Sequence, residues 1–382
     1  MARTFHPDQT QSTLFAALLA AAQEFGSDKI ILEDAERTTL TFKKLILACL
    51  VLGAKIARET ERGETVGVLL PNSIGLTATL FGLNAFHRVG AILNFTAGKR
   101  QLVSALRTGR IRTVLTSRRF VEMGKLEELV AELAEVEWKQ GQKVRILALE
   151  DVRSSIGTLD KATGAVRAAF ARALHRPSAK DPHTPAFVLF TSGTEGEPKG
   201  VVLTNANVLA NAYQMLDHMH ALLGTDEVVF NPLPMFHSFG LTAGTLTPLL
   251  GGVKVALYPS PLHYRQIPKF IGRTNATVLY ATDTFLAGYH RAAEADDLAK
   301  VRYVIAGAER IKPQTRQLWS ANSTDILEGY GATECSPVVA VNQPSANRAG
   351  TVGRILPGIS ARLEPVPGIA EGGRLFVRGP NV

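Results

Sequence analysis

Thr191-Ser192-Gly193-Thr194-Glu195-Gly196-Glu197-Pro198-Lys199-Gly200 is the stretch that decides how this chain reads. It follows Ala186-Phe187-Val188-Leu189-Phe190, an apolar run of buried-strand length. It precedes Val201-Val202-Leu203 and then Thr204-Asn205, residue types that cap helices. Small hydroxyl residues and three glycines let backbone N–H groups turn inward around an anion. Lys199 adds a mobile point charge suited to phosphate. The implied chemistry is nucleotide triphosphate binding. The stretch is not a Walker A loop, which requires G-x-x-x-x-G-K-[ST]. Counted from Gly193, Pro198 stands in place of the second glycine, and Gly200 follows Lys199 where a Mg²⁺-binding hydroxyl belongs. Loop chemistry alone fits a polar turn with a solvated lysine equally well.

Working outward, strand-like and helix-like runs alternate on both sides. Upstream, helical patterns cover 13–24, 75–88, 99–109 and 122–135, and Leu45, Cys49, Leu52 and Ile56 share one helical stripe. Strand patterns cover 66–70, 91–95, 111–115 and 144–149. Residues 151–185 read as a connection with one basic helical piece, 164–175. Downstream, strands at 228–231, 253–258, 276–281, 301–305 and 325–328 alternate with helices at 206–221, within 238–250, and at 264–272, 284–294 and 313–320. This spacing implies an α/β fold with largely parallel sheets and helices on their faces. Two similar α/β subdomains are expected, about 13–180 and 181–328, the second carrying the phosphate loop. After Tyr330 the texture changes to Gly, Pro and short β-like runs, so 329–382 is expected to be a small β-rich portion, a distorted barrel.

The 382 residues are 46% hydrophobic, enough for substantial cores and against disorder. No apolar segment is long enough to span a bilayer, and Ser12–Ala22 lacks a cleavage site for a signal peptide. Cys49 and Cys335 are two lone cysteines, neither a disulfide framework nor a metal site, and a reducing cytoplasm is the simple expectation. The net charge of +8 favours acidic partners: ATP, an acidic carrier protein or an anionic membrane surface. No motif for nucleic acid accompanies it. Lys99, Arg100, Arg107, Arg110, Arg112, Arg118 and Arg119 lie in a segment free of Asp and Glu, and Arg167, Arg172 and Arg176 form a second cluster.

The full ten-residue string resembles the phosphate loop of the adenylate-forming superfamily, which includes acyl-CoA synthetases, luciferases and peptide-synthetase adenylation domains. Three further stretches match that superfamily in order. Asn231-Pro232-Leu233-Pro234-Met235-Phe236-His237-Ser238-Phe239-Gly240 is the first. The resemblance places His237 beside the acyl pocket and the α-phosphate, orienting the carboxylate or gating the tunnel. Ile305-Ala306-Gly307-Ala308-Glu309 is the second, at a strand end where open α/β sheets bind ligands. By resemblance, Gly307, Ala308 and Glu309 border the adenine. Glu328-Gly329-Tyr330-Gly331-Ala332-Thr333-Glu334 is the third. Here the resemblance implies that Tyr330 stacks on adenine, Thr333 reaches the α-phosphate and Glu334 binds Mg²⁺. The same resemblance assigns Thr191, Ser192, Gly193, Thr194, Gly196 and Lys199 to the nucleotide, together with Glu328, Gly329, Gly331 and Ala332. Lys199, His237, Thr333 and Glu334 are its catalytic set, and ATP and Mg²⁺ its cofactors. The reaction implied is attack of a carboxylate oxygen on the ATP α-phosphorus, releasing pyrophosphate and leaving an acyl-adenylate. Positioning and charge neutralisation carry such a step without a protein nucleophile.

Amino-acid-activating relatives place an acid just after the position of Phe236. Here His237 and Ser238 follow, and Phe239 to Tyr258 is apolar apart from Lys254, which suits a fatty acyl chain. Phe236 to Gly244, Tyr258 to Arg265, Gly350 to Gly358, Asn94 to Gly98 and Thr116 to Phe120 resemble the synthetase half of bifunctional 2-acylglycerophosphoethanolamine acyltransferase/acyl-ACP synthetases. That implies transfer of the activated acyl group to the phosphopantetheine thiol of acyl carrier protein. It also implies a cytoplasmic setting, with the inner membrane face or an acyltransferase domain as further partners. No H-x-x-x-x-D acyltransferase motif stands ahead of residue 13, and neither the T-G-D aspartate nor the lysine-bearing C-terminal domain of relatives is found by Val382. The expectation is therefore a core that binds nucleotide but adenylates slowly. An acyl-CoA ligase core and a non-catalytic adenylate-binding or carrier-docking module remain open alternatives.

Overall fold

The computed structural model describes residues 4–192 and 198–382. They form two units, one of residues 12–205 with 234–237, the other of residues up to 11 with 206–233 and 238–382.

In the first unit the apolar runs become the sheet they promise. Its order is Pro198–Thr204, Pro185–Ser192, Val89–Ile92, Thr65–Val68, Thr113–Thr116, Arg145–Ala148. All neighbours run parallel except Pro198–Thr204, which returns antiparallel on Pro185–Ser192. The expected boundary near residue 180 falls inside this unit, because Pro185–Ser192 adds to Val89–Ile92 with Val188 opposite Ala91. Parallel strands buried on both faces need helical cover. The helix Phe42–Glu59 supplies some, burying Leu45, Cys49, Leu52 and Ile56. The helix Leu14–Phe25 starts on three polar side chains. Leu14 N–H donates to Asn205 Oδ1 (2.9 Å), Phe15 N–H to Asn84 Oδ1 (3.0 Å) and Ala16 N–H to Thr13 Oγ1 (3.1 Å), which satisfies N–H groups that have no intrahelical acceptor. The helix expected over 122–135 is two helices, Arg118–Gly124 and Glu127–Ala134, because Lys125 turns left-handed (φ 51°) between them.

In the second unit the order is Arg354–Ile355, Val338–Val341, Asp325–Gly331, Tyr303–Ala306, Val278–Ala281, Val228–Asn231, Lys254–Leu257. The last five are parallel and the first two join antiparallel. The β-rich portion expected after residue 329 is therefore not a barrel. Val338–Val341 and Arg354–Ile355 extend the main sheet, and Ser360–Glu364 pairs with Arg374–Arg378 as a separate hairpin. No closed barrel occurs among the described residues. The helix expected within 238–250 opens as a π-helix, Phe239–Leu246, before Thr247–Leu250. Its cause is polar: Asn231 Nδ2 donates to Gly240 O and Thr245 Oγ1, and Thr245 Oγ1 donates back to Gly240 O, each at 2.9 Å. A side chain inserted this way opens the i→i−4 ladder. Gly244 makes room for it, since a Cβ there would lie 2.7 Å from Asn231 Cγ.

Candidate functional site

The ladder of the first unit sets Thr191 opposite Lys199 and Ser192 opposite Pro198. Directly opposed residues in an antiparallel pair project from the same face. Thr191 and Lys199 are thus neighbours at the end of the two strands, and Gly193, Thr194 and Gly196 lie outside the described residues. Lys199 is exposed and has no ion-pair partner among the described residues. Thr191, Pro198 and Phe190 line a cavity of about 320 Å³ with Asn94, Gln101 and His237. His237 is fixed from behind. Met235 N–H donates to Asn72 Oδ1 (2.9 Å), His237 N–H donates to Pro234 O (3.1 Å), and the imidazole meets Phe236 edge-on at 4.7 Å. Phe236 in turn meets Phe95 at 5.3 Å. The ring itself is open to solvent yet crowded by protein, and the lost hydration holds its pKa below the ordinary histidine value. Openness sets access and crowding sets charge, so the imidazole is neutral at pH 7 and able to accept or donate one hydrogen bond.

In the second unit, the motif residues follow the C-terminal ends of parallel strands. Gly307, Ala308 and Glu309 come directly after Tyr303–Ala306. A Cβ at Gly307 would touch the Phe239 ring at 3.4 Å, and Ala308 adopts a left-handed φ of 66°. Glu309 Oε2 accepts from Thr284 N–H (3.1 Å) and Thr284 Oγ1 (2.8 Å), at the first turn of the helix Asp283–Ala292. Gly329, Tyr330 and Gly331 end the strand Asp325–Gly331, with Tyr330 opposite Ala340 and 45% exposed. Ala332 N–H donates to Pro337 O (3.0 Å), and Thr333 and Glu334 sit in the turn Thr333–Cys335. Glu334 is exposed, with no hydrogen bond or ion pair among the described residues. Glu328 is its opposite: buried, ion-paired to Arg316 and accepting from Gly350 N–H (3.0 Å). Its carboxylate is occupied by protein partners.

The whole pattern matches the family described as AMP-binding enzyme over residues 18–382. The chain belongs to that family. It is 25% identical to the long-chain-fatty-acid–CoA ligase of Bacillus subtilis over 90% of this chain and 65% of the relative. It is 24% identical to 4-coumarate–CoA ligase 2 of Oryza sativa over 95% of this chain and 66% of the relative. The chain thus spans about two thirds of the length of these two curated relatives. Among solved structures, a long-chain-fatty-acid-CoA ligase from Archaeoglobus fulgidus superposes with a TM-score of 0.79 at 20% identity, covering 97% of this chain and 75% of that one. ATP-bound MatB from Rhodopseudomonas palustris gives 0.77 at 24%, covering 97% and 70%. These two share the fold.

Adenylate-forming family members use ATP and Mg²⁺. The residues present fit that pair. No cluster of three or more His, Cys, Asp or Glu side chains that could hold a metal occurs among the described residues, so no protein cage is preformed. Mg²⁺ is commonly held by one or two carboxylates plus substrate phosphates, and Glu334, exposed and without a partner among the described residues, is a carboxylate of that kind. The cavity beside His237 was not foreseen from Asn94 and Gln101. Its one available signal was the Asn94-Phe95-Thr96-Ala97-Gly98 string, whose resemblance carried no assigned role. The acid-free run of cations also resolves differently in space. Lys99 pairs with Glu132, Arg112 with Glu61 (2.9 Å) and Glu64 (2.8 Å), Arg118 with Asp151 (2.6 Å) and Arg119 with Glu36 (2.6 Å). Acids distant in sequence neutralise much of it.

Proposed function

We propose that this chain is the nucleotide- and acyl-binding core of an ATP-dependent ligase that converts a fatty acid to its acyl-adenylate. One observation carries the reading. Lys199 and Glu334, the two charges expected to meet phosphate and Mg²⁺, are exposed and have no ion-pair partner among the described residues, whereas Glu328 and Arg316 are locked to each other and Arg112 to Glu64. In this reading Lys199 and Thr333 bind the phosphates, with Thr191, Ser192, Gly193, Thr194 and Gly196 supplying the loop. Glu334 holds Mg²⁺, which neutralises charge on the transferring phosphate. Tyr330 stacks on the adenine beside Gly307, Ala308 and Glu309, and Glu328, Gly329, Gly331 and Ala332 shape that edge. The neutral His237 hydrogen-bonds the fatty acid carboxylate, and the apolar residues after Phe239 receive its chain. The acceptor is the thiol of acyl carrier protein, which the basic balance of the chain favours. A second reading, transfer to CoA, is supported by the names of the curated relatives.

The test is pyrophosphate release with ATP, Mg²⁺ and a panel of fatty acids. Long-chain acids should stimulate it and amino acids should not. Adding carrier protein or CoA to preformed adenylate then separates the two acceptors. Release that no carboxylic acid stimulates would refute the reading.

A further inference from the structure

Leu159, Val166, Phe170 and Leu174 are 75%, 59%, 62% and 61% exposed. Leu159 and Val166 lie on the helix Thr158–Ala169, Phe170 is the turn that ends it, and Leu174 lies on the short helix Ala171–Leu174 that follows, at spacings of seven, four and four that keep them on one side. An apolar stripe on a surface helix normally faces the core. Here the core side is a different and narrower face. Gly164 is buried against Val51 and Leu47 of the helix Phe42–Glu59, where a Cβ would collide with Val51. Ala171 is buried too. Lys55 and Arg58 grip Asp160 at 2.8 and 3.1 Å and hold its carboxyl down to about 2. The helix is therefore anchored by small residues and one ion-pair cluster, with its large apolar side chains turned outward.

At about 100° per residue the exposed face runs from the stripe across Ala162, Ala165, Ala169 and Ala173, and cations stand at its two edges. Lys161, Arg172 and Arg176 are exposed and have no acidic partner among the described residues, and Arg167 rests over the Phe86 ring at 5.5 Å. Asp160 is the lone acid in residues 158–176, and it is already paired.

We infer that this helix docks on an anionic lipid surface, with the stripe at the acyl boundary and the cations among the headgroups. An interfacial helix has this form: an apolar face, Lys and Arg at its edges, and alkyl stems that reach from one layer to the other. The stripe is a ridge along this helix and its short continuation, not a groove, which suits a deformable surface better than a pocketed one. A second copy of the chain would set these arginines against each other. The inference rests on exposure and charge and does not use the ligase reading.

The test is co-sedimentation of the whole chain with phosphatidylglycerol/phosphatidylcholine vesicles and with phosphatidylcholine vesicles alone. Binding should be at least about tenfold tighter to the anionic vesicles and should weaken with salt. Phe170→Glu with Leu174→Glu should reduce it at least about tenfold. Phe170→Trp guards against misfolding of the charged variant, because its emission should shift to the blue only on anionic vesicles. Equal affinity for both vesicle types, or no shift from the tryptophan, would overturn the proposal. So would light scattering that shows a dimer abolished by the paired glutamates, since a second copy would then cover the stripe. A failure of pyrophosphate release leaves all these readouts unchanged, so the two proposals fail separately.

Discussion

The stretches Thr191–Gly200 and Glu328–Glu334 both present charge at the end of a sheet, yet they are held in different ways. In the first, Lys199 is positioned by backbone pairing with Thr191, and its side chain has no ion-pair partner among the described residues. In the second, side chains do the holding. Glu328 ties the strand to Arg316, to Gly350 N–H and, through its carbonyl, to Asn342 N–H (2.9 Å). Glu334, six residues on, has no hydrogen bond or ion pair among the described residues. A motif residue can therefore be a contact or a brace, and its neighbours decide which.

The largest expected effect breaks the brace. Arg316→Ala leaves the buried Glu328 carboxylate without its cation, and such losses cost about 3 kcal/mol or more of stability. Urea unfolding should show this, and a variant within about 0.5 kcal/mol of the parent would mean the pair is not structural. Lys199→Ala should do the reverse. It should leave the urea midpoint in place while weakening ATP by about 1.5–3 kcal/mol, the range for hydrogen bonds to charged groups. Calorimetry with unchanged ATP affinity would remove Lys199 from the site. Glu334→Gln should lower the magnesium dependence of nucleotide binding, again without loss of stability, and an unaltered dependence would argue against it as the ligand. The smallest effect is on pH. Burial lowers the pKa of His87, His175, His218 and His237, so the unfolded chain binds protons that the folded chain refuses. Stability should be flat above the unfolded value of about 6.5 and fall as pH drops below it. Asp160, held near 2 first by its bond from Lys55, loses its contribution only as pH falls below the ordinary Asp value, so the two windows separate. His218, whose Nε2 lies 2.9 Å from Val341 O, is the group to replace: His218→Gln should flatten the fall below about pH 6.5. An unchanged slope would assign the fall to the other histidines.

The alternation of apolar runs was legible because parallel strands are buried on both faces. Strands expected at 228–231, 253–258, 276–281 and 301–305 lie within two residues of those observed. Half-exposed strands were not legible. Pro198–Thr204 carries an exposed Val202 beside a buried Leu203, and only its centre, Val201 to Leu203, is apolar in sequence. The short pair Ile30–Glu33 and Thr39–Thr41 carries no alternation long enough to mark it, and Ile30 itself is 46% exposed. At the site, motif order identified residue types. It could not tell that Glu328 is paired and Glu334 is not, because Arg316 and Gly350 meet only after folding. The same limit explains the run from Lys99 to Arg119, whose neutralising acids come from residues such as Glu36 and Asp151.

The Asn231 carboxamide that opens the π-helix has a consequence for how this chain can vary. Gly244 is glycine because Asn231 occupies the space of its side chain, and Asn231 is useful because Gly240 O and Thr245 Oγ1 await it. Neither position can change first without penalty. Alanine at 244 collides with the carboxamide, and an apolar residue at 231 removes the donor to Gly240 O and Thr245 Oγ1 and the Oδ1 that accepts from Leu233 N–H, all in a dry interior. The two sites behave as one inherited character, and a lineage that loses it must lose both halves together.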